Sequence, residues 1–325
     1  MALDALIGYV LAVMAMYVLF VAIDCQVVDL NDETLTGDLR LINTLYNIEG
    51  ILETPPSEAV EYYEHTTDRD YALLERVMGP GMHTRIKNNN DEQFKYVAYE
   101  IDALNADRVL EIGCGKGHSR VLARMLPHVH FTGIDMVQRH IEVAASYSMA
   151  LTNLEYVHAD ATQDISHLGK FQVIFGVESL CHMDSKEARE KFIKQAKSLL
   201  TPGGKIVIID GFRSETFDDT TPDQQLAMML AERGFSIARM PSTADWIQAS
   251  EAKAAHFTDL TKDAIVYWKT GWRVARFLLH FPLVLYYYAC SSRARTFTLM
   301  NILSVATTAH ALRGSAEYGV LVMTT

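Results

Sequence analysis

The alternation of apolar and polar positions divides the middle of the chain into short buried runs and longer amphipathic runs. The short runs, rich in apolar and β-branched residues, predict strands at 108–112, 131–135, 154–158, 171–177 and 205–210. Between them, apolar positions at helical spacing predict helices at 118–126, 137–149 and 186–200. Strands that alternate with helices in this way indicate a parallel sheet with right-handed crossovers.

Two apolar runs stand outside this alternation. Residues 5–23 contain no charge, and as a helix they would span about 28 Å, close to the hydrocarbon core of a bilayer. They predict a transmembrane anchor, a helix lying in the membrane surface or against an oligomer partner, or a helix buried in the domain. The second run, 272–290, is interrupted by Pro282 and flanked by arginines. It predicts a cap helix that lines an apolar pocket, or a membrane-surface element.

Composition narrows the class of protein. The net charge of −11 over 325 residues argues against a nucleic-acid partner, which favours a basic surface. The four cysteines (Cys25, Cys114, Cys181 and Cys290) have no paired spacing, so they indicate neither a disulfide framework nor a zinc site.

The segment RVLEIGCGKG, residues 108–117, is the strongest local signal. A short apolar strand runs into a loop with glycines at 113, 115 and 117, and a helix follows. Glycines let a ligand approach the bare backbone, and the amides at the start of the helix face that ligand. The third glycine comes one residue too early for the dinucleotide motif G-x-G-x-x-G, and His118 occupies its place. Asp135 ends the next strand, where an acid is placed to accept both hydroxyls of a ribose.

Further motifs follow in order: HADAT ending at 162, VIFGVES at 173–179 and LTPGGKIVIID at 200–210. The whole series resembles the class I S-adenosylmethionine (SAM)-dependent methyltransferases over residues 108–210. The resemblance implies an α/β fold with a seven-stranded Rossmann-like sheet, mostly parallel with the last strand antiparallel, and a helical cap. YGVLVMT at 318–324 fits the last strand, and DAIVYW at 263–268 is the candidate for its partner.

The resulting domain organisation has five parts. They are a hydrophobic N-terminal helix at 1–30, a helical cap at 31–100, a SAM-binding core at 101–212, a lid insertion at 213–262, and C-terminal strands with hydrophobic cap helices at 263–325. We expect membrane association through 5–23 and 277–290, with the catalytic domain facing the cytoplasm. The sequence is compatible with an oligomer as well as a monomer.

The resemblance also implies cofactor contacts for SAM. Glu111 and the glycines Gly113, Gly115 and Gly117 would lie along the methionine moiety, and Asp135 would hold the ribose. The other implied contacts are Met136 packing on the adenine, Asp160 bonding its amino group with Ala161 beside it, and Val177 and Glu178 facing the methionine and the transferring methyl.

The prediction of the methyl acceptor depends on Glu178 and His182 in the segment GVESLCHM. A Glu followed four residues later by His resembles the sterol, tocopherol and prenyl-diphosphate C-methyltransferases. In that chemistry an alkene attacks the methyl group, and a nearby carboxylate stabilises the carbocation and accepts its proton. Glu178 is the first candidate for the base and His182 is the alternative or a proton relay. In the plainer interpretation, Glu178 only orients the cofactor and His182 caps a helix.

Tyr62, Tyr63 and His83 resemble residues of the acceptor mouth in lipid-directed methyltransferases; the alternative is core packing for the tyrosines and a surface loop for His83. We therefore predict methyl transfer to a hydrophobic isoprenoid, sterol or prenyl-lipid acceptor at carbon. N- or O-methylation of an amine, phospholipid or small natural product is the alternative, and a non-catalytic SAM-binding protein is disfavoured. No metal site is predicted. Mg²⁺ would be required only for a diphosphate acceptor, for which Arg85, Lys87 and Arg213 form a weak basic set.

Overall fold

A seven-stranded sheet forms the centre of the computed structural model, which describes residues 28–66, 84–87, 89, 91–280 and 294–325. The strand order is β3-β2-β1-β4-β5-β7-β6, and β7 runs antiparallel to both of its neighbours while the other six strands are parallel to one another. The predicted fold class is confirmed. The strands are β1 Arg108–Ile112, β2 His130–Asp135, β3 Leu154–His158, β4 Phe171–Val177, β5 Leu200–Arg213, β6 Ala254–Asp259 and β7 Ala316–Thr324.

Helices cover both faces of this sheet. Those before β1 are α1 Asp32–Leu45, α2 Ile48–Glu53, α3 Ala59–Thr66 and α4 Glu92–Leu104. Those between the first five strands are α5 Arg120–Met125, α6 Gln138–Ser148 and α7 Lys186–Leu199. Those after β5 are α8 Pro222–Gly234, α9 Thr243–Ser250, α10 Thr261–Leu279 and α11 Ala294–Ala311. Capping boxes at Asn31, Thr221 and Ser242 fix the starts of α1, α8 and α9 by satisfying backbone N–H groups.

The prediction that residues 263–268 form a strand was wrong. These residues lie inside α10, and the partner of β7 is β6 at Ala254–Asp259, within the segment predicted as a lid insertion. The helix that precedes β6, α9, ends at Ser250. Six apolar-rich residues are too few to distinguish the two periods, whereas the buried positions of α10 (264, 267, 268, 271, 272, 275 and 279) follow helical spacing over five turns.

The parallel pairing of the strands brings the sequence motifs to one edge of the sheet. β1 pairs with β2 on one side and β4 on the other, so the order of successive strands in the sheet reverses between β1 and β4. The carboxyl ends of β1, β2, β4 and β5 therefore place Gly113, Asp135, Glu178 and Asp210 at the same edge. A crevice at such a switch point is the usual ligand site of doubly wound sheets.

A buried polar network fixes the helical layer beside the sheet. Asp38 on α1 is 3% exposed and accepts hydrogen bonds from Trp272 Nε1 at 2.7 Å, Arg276 Nε at 2.9 Å and His310 Nε2 at 3.1 Å. Around it, Leu35, Ile42, Leu230 and neighbouring apolar residues join α1, α8, α10 and α11 in one hydrophobic cluster. One carboxylate thus holds three helices together.

The two apolar runs of the sequence are only partly described. Residues 5–23 lie outside the described residues, and of the second run residues 272–279 belong to α10 while 281–290 lie outside. None of the described helices is long and apolar enough to cross a membrane. The five-part domain division and the membrane contacts remain predictions.

Candidate active site

A cavity of about 830 Å³ opens at the carboxyl edge of the sheet. Part of its wall comes from the loops after β1, β2, β3 and β4, and part from α3, α8 and α11. Twelve of the predicted site residues line it: Tyr62, Tyr63, Glu111, Gly113, Gly115, Asp135, Met136, Asp160, Ala161, Val177, Glu178 and His182. The structure thus brings together residues that are up to 120 positions apart in the chain. His83 lies outside the described residues.

The three glycines of the loop after β1 have different structural tasks, although all have positive φ. A Cβ on Gly113 would come within 2.5 Å of the Ser179 side chain, and one on Gly117 within 2.4 Å of the Tyr156 hydroxyl. These two glycines therefore permit close packing, and Gly117 lies behind the cavity wall. A Cβ on Gly115 would meet nothing within 4 Å, so Gly115 leaves the backbone open toward the cavity.

Asp135 is fixed at the end of β2. Its Oδ2 accepts the Gly115 N–H at 2.9 Å and its Oδ1 accepts the Val137 N–H at 2.8 Å, while His140 Nδ1 lies 3.3 Å from Oδ1. A carboxylate oxygen can accept more than one hydrogen bond, so Asp135 retains capacity for further donors. The next residue, Met136, is 43% exposed and lines the cavity.

Two other carboxyl groups complete this part of the wall. Asp160 after β3 accepts bonds from the Thr162 N–H and hydroxyl, both at 2.8 Å, next to the buried Ala161. Glu111 in β1 accepts a hydrogen bond from the Ser119 hydroxyl. Burial raises the pKa of Glu111 to about 8, with the nearby Asp135 adding to the effect. Glu111 is therefore largely protonated at neutral pH in the free protein.

Glu178 follows β4 with φ +50°, an unusual conformation for a residue with a side chain. Its Oε1 accepts three hydrogen bonds, from Thr84 N at 2.8 Å, Gln93 Nε2 at 3.1 Å and the Tyr318 hydroxyl at 2.6 Å. These donors come from the segment before α4, from α4 itself and from β7. The carboxylate is thus held rigidly as a hydrogen-bond acceptor at the cavity wall.

His182 pairs with Tyr63 across the cavity wall. The Tyr63 hydroxyl lies 2.9 Å from His182 Nε2, and the Tyr63 ring packs edge-on against His182 and His140. Burial lowers the pKa of His182 to about 4, although the negative charges of Asp184 and Asp135 act in the opposite direction. The ring is therefore neutral at physiological pH. His182 is therefore in the form that accepts a proton.

Three residues that hold this site, Gln93, Tyr318 and Asp210, were not identified from the sequence. Gln93 offered a signal, since it is a polar residue on the buried face of α4, beside Phe94 and Val97. A buried polar side chain on an apolar face needs a hydrogen-bond partner, and here the partners are Glu178 and the Tyr318 hydroxyl. Tyr318 and Asp210 appeared in the sequence only as strand residues.

Known proteins resemble this chain in its core. Residues 109–204 match the family model described as a methyltransferase domain. The chain contains a class I SAM-dependent methyltransferase domain. The sequence prediction of this enzyme class and of its cofactor is confirmed at the level of the domain.

Among the curated relatives of this methyltransferase domain, phosphoethanolamine N-methyltransferase 1 from Triticum aestivum is 28% identical over 165 residues, covering 50% of this chain and 31% of that protein. The chain thus matches less than a third of this relative's length. The O-methyltransferase rstn1 from Aspergillus nomiae is 27% identical over 170 residues, covering 50% of this chain and 72% of that protein. By their names, one relative methylates nitrogen and the other methylates oxygen.

The fold of the methyltransferase domain extends this similarity to most of the chain. The solved structure of mycolic acid cyclopropane synthase CmaA1, complexed with SAH and CTAB, superimposes with a TM-score of 0.61 at 15% identity, covering 84% of this chain and 100% of that one. The helices after β5 and the antiparallel β7 therefore belong to the same architecture.

The residues of this methyltransferase domain fit SAM. SAM carries a sulfonium and an ammonium group, and the cavity wall carries the carboxyl groups of Asp135, Asp160 and Glu178. The open backbone at Gly115 leaves room for the ligand to lie against the loop. The negative charge of the wall attracts the cationic groups of SAM, and the uncovered backbone lets the ligand lie close to the loop.

The weak basic set proposed for a diphosphate does not lie on the cavity wall. Arg213 makes a two-oxygen ion pair with Glu232 at 2.6 Å, and Lys87 pairs with Glu92 at 3.2 Å. Arg85 is not among the described lining residues either. In the part of the chain that the structure describes, no group of three His, Cys, Asp or Glu residues is arranged to hold a metal ion.

Asp135→Ala should weaken SAH binding about ten- to a hundredfold, because hydrogen bonds to a charged group contribute about 1.5–3 kcal/mol each. Isothermal titration calorimetry measures this change. Asp164→Ala, which removes an exposed carboxylate outside the cavity, serves as the control. Unchanged affinity in Asp135→Ala would remove Asp135 from the ribose site.

Proposed function

We propose that this protein transfers the methyl group of SAM to a hydrophobic small molecule, at a carbon atom of an isoprenoid, sterol or prenyl lipid. The observation that carries the proposal is that part of the cavity wall is apolar. This apolar part is formed by Met228 and Ala231 of α8, with Phe235 just after its end, and by Val305 and Ala311 of α11, with Leu312 just after its end. Burying an apolar acceptor against such a wall contributes about 25 cal/mol per Å².

The cofactor residues receive their roles in this proposal. The loop at Gly113 and Gly115, with Glu111, lies along the methionine moiety, and Asp135 accepts the ribose hydroxyls. Met136, Asp160 and Ala161 surround the adenine. These roles agree with the positions of the residues on the cavity wall.

SAM supplies an activated methyl group, so the protein has to position the acceptor, exclude water and manage charge. Glu178 provides a fixed negative charge, because its Oε1 is held by three donors. A cation that develops on the acceptor is stabilised by this charge and by the faces of the neighbouring aromatic rings. Glu178 thus acts as the electrostatic partner of the reaction.

The Tyr63–His182 pair removes the proton. When the Tyr63 hydroxyl donates to Nε2, the tyrosine oxygen accepts the acceptor's proton while its own proton moves to His182. Burial disfavours the imidazolium that results, and the negative charges of Asp184 and Asp135 offset part of this effect. The hydroxyl–imidazole distance of 2.9 Å is within the reach required for proton transfer. The sequence placed Glu178 first as the base, and the geometry favours His182.

A second candidate is N- or O-methylation of an amine, phospholipid or small natural product. The Tyr63–His182 pair favours it equally, because a hydroxyl or ammonium acceptor also has to lose a proton. The two curated relatives support this candidate through their names. The fixed charge at Glu178 separates the candidates, since only the carbon reaction depends on stabilising a carbocation.

Label transfer from methyl-labelled SAM tests the function. The acceptor panel is squalene, sterols, prenyl diphosphates, prenylquinols, phosphatidylethanolamine and phosphoethanolamine, with mass spectrometry of the products. A methyl group on carbon of an isoprenoid is the expected result. Label only on nitrogen or oxygen would replace the leading proposal by the second candidate.

Glu178→Gln should keep SAH affinity and lower turnover about ten- to a hundredfold if carbon is methylated, because the amide preserves the acceptor oxygen but removes the charge. Turnover with each acceptor and calorimetry with SAH measure the two effects. Near-normal turnover would support N- or O-methylation.

We further propose that the protein associates with a membrane through residues 5–23 and 277–290, with the catalytic domain facing the cytoplasm. The length and apolar character of the first run support this proposal. Co-sedimentation of the full chain with phosphatidylcholine vesicles tests it, and a chain that stays in the supernatant would contradict it.

A further inference from the structure

The turn that carries His182 lacks a cap from its own sequence. Residues 180–182 form a single 3₁₀ turn directly after Glu178 and Ser179. Ser179 precedes the turn, but its side chain makes no cap hydrogen bond. Its hydroxyl donates instead to the Ile112 carbonyl at 2.6 Å. The first N–H groups of a helical turn have no partner within the turn, so another group has to accept them.

Asp210 at the carboxyl end of β5 supplies this missing acceptor. Its Oδ2 accepts the Cys181 N–H at 3.0 Å and its Oδ1 accepts the Gly211 N–H at 2.9 Å. The Cys181 thiol lies close to the same carboxyl group. Asp210 is 3% exposed and borders the cavity. One carboxylate therefore ties β5 to the turn that follows β4.

We propose that Asp210 is a positioning residue that caps the 180–182 turn and thereby holds the His182 ring against the Tyr63 hydroxyl. This inference rests on the proposed role of the Tyr63–His182 pair in proton transfer. Asp210 reaches His182 through the backbone of Cys181 and needs no contact with the acceptor. Leu180 and Cys181 are buried on either side of the capped amide, so a displaced turn would move the neighbouring ring as well.

The electrostatic surroundings of Asp210 support this role. Burial raises the pKa of Asp210 to about 7, the negative charge of Glu178 adds to the effect, and the N–H groups of Cys181 and Gly211 oppose it. The other titratable groups that face it are the Cys181 thiol and the Tyr318 hydroxyl. Burial raises the pKa of each well above its ordinary value, so both stay neutral near pH 7. Among these groups, Asp210 is the one whose charge changes there. Glu111, whose pKa burial raises to about 8, faces Ser119 and Asp135 instead.

The ionised Asp210 carboxylate is a better hydrogen-bond acceptor than its protonated form, and this decides the direction of the pH effect. As pH falls through about 7, Asp210 gains a proton, one of its oxygens becomes a donor, and the cap weakens. At saturating SAM, kcat should fall in this range. His182 does not account for that change, because burial lowers its pKa to about 4.

Asp210→Asn tests the proposal in the full-length protein. The amide keeps one acceptor oxygen but replaces the other by a donor, so it cannot accept both N–H groups. We expect kcat to fall about ten- to a hundredfold, since small misplacements at a reacting site have effects of this size. SAH affinity should stay within about twofold, because the cap does not involve the proposed cofactor contacts. The change in kcat near pH 7 should disappear.

A second readout does not depend on an acceptor. In the SAH-bound protein, the ring resonances of His182, assigned by their absence in His182→Gln, should shift in Asp210→Asn. In the wild type they should move as pH passes through about 7. Unchanged resonances in both experiments would overturn the capping role. If the wild type methylates no acceptor but the resonances shift, the proposed function fails and the capping role stands.

Asp164→Asn is the matched control. Asp164 Oδ1 accepts the Ser166 N–H at 2.9 Å at the start of another 3₁₀ turn, residues 166–168, and Asp164 does not line the cavity. We expect this variant to leave kcat and the His182 resonances unchanged. A parallel loss of SAH affinity and kcat in Asp210→Asn would also overturn the proposal, because it would indicate a damaged cofactor site. If Asp210→Asn does not fold, Asp210→Glu is the second variant. It keeps the carboxylate but moves it by one methylene group, so kcat should fall and the His182 resonances should shift as well, and unchanged values would overturn the proposal.

Discussion

His182→Gln should lower methyl-transfer turnover about a hundred- to ten-thousandfold while SAH affinity stays unchanged. Glutamine can accept a hydrogen bond from the Tyr63 hydroxyl but does not take up a proton near neutral pH. A positioned general base contributes about this factor to a rate. Single-turnover label transfer at saturating SAM measures the loss, and calorimetry with SAH measures the affinity.

Tyr63→Phe is the companion variant. It keeps the edge-on ring packing against His182 and His140 and removes only the hydroxyl that lies 2.9 Å from Nε2. If the two residues act as one relay, the double variant should lose little more than either single variant, because residues that act as a unit are not additive. Near-normal turnover in His182→Gln would rule out the relay.

Asp38→Ala should lower the free energy of unfolding by about 3–5 kcal/mol, because removing one partner of a buried charged network leaves the others without their acceptor. The side chain of Arg276, which is 15% exposed, faces this carboxylate at 2.9 Å, and Trp272 and His310 donate to it. Urea unfolding followed by circular dichroism and tryptophan fluorescence measures the change.

Asp32→Ala on the same helix is the control for Asp38→Ala. Asp32 is 72% exposed and pairs with Arg313 at 2.8 Å at the surface. Exposed pairs of this kind contribute about 0–1 kcal/mol. A loss of less than about 1 kcal/mol in Asp38→Ala would show that the network does not hold α1, α10 and α11 together.

The Asp38 network also bears on the site, because α11 provides part of the cavity wall. Asn301 on this helix accepts a hydrogen bond from the Tyr62 hydroxyl, and His310 near its end donates to Asp38. The tyrosine pair of α3 is thus anchored to a helix that is itself fixed by α1. This link connects the stability of the helical layer with the position of Tyr63.

The core of the fold and the cofactor loop were determined by local sequence. Strands β1 to β5 each contain a short apolar run, and helices α5 to α7 show their period clearly, so each element carries its own signal. The glycines after β1 and the acid that ends β2 lie within 28 residues of one another. A motif of this length is independent of long-range packing, and together with the motifs up to residue 210 its resemblance to a known family indicated a SAM site before any contact was known.

Only the tertiary structure decided how the acceptor side is assembled. Glu178 is held by Thr84, Gln93 and Tyr318, and His182 by Tyr63 and, through Cys181, by Asp210. These partners come from α3, α4, β5 and β7, and no spacing in the chain relates them. The wrong prediction of a strand at 263–268 has the same cause, because six residues fit either the strand or the helix period until their neighbours are known. Local patterns fix elements, whereas the direction in which a side chain points across a cavity depends on how distant elements pack.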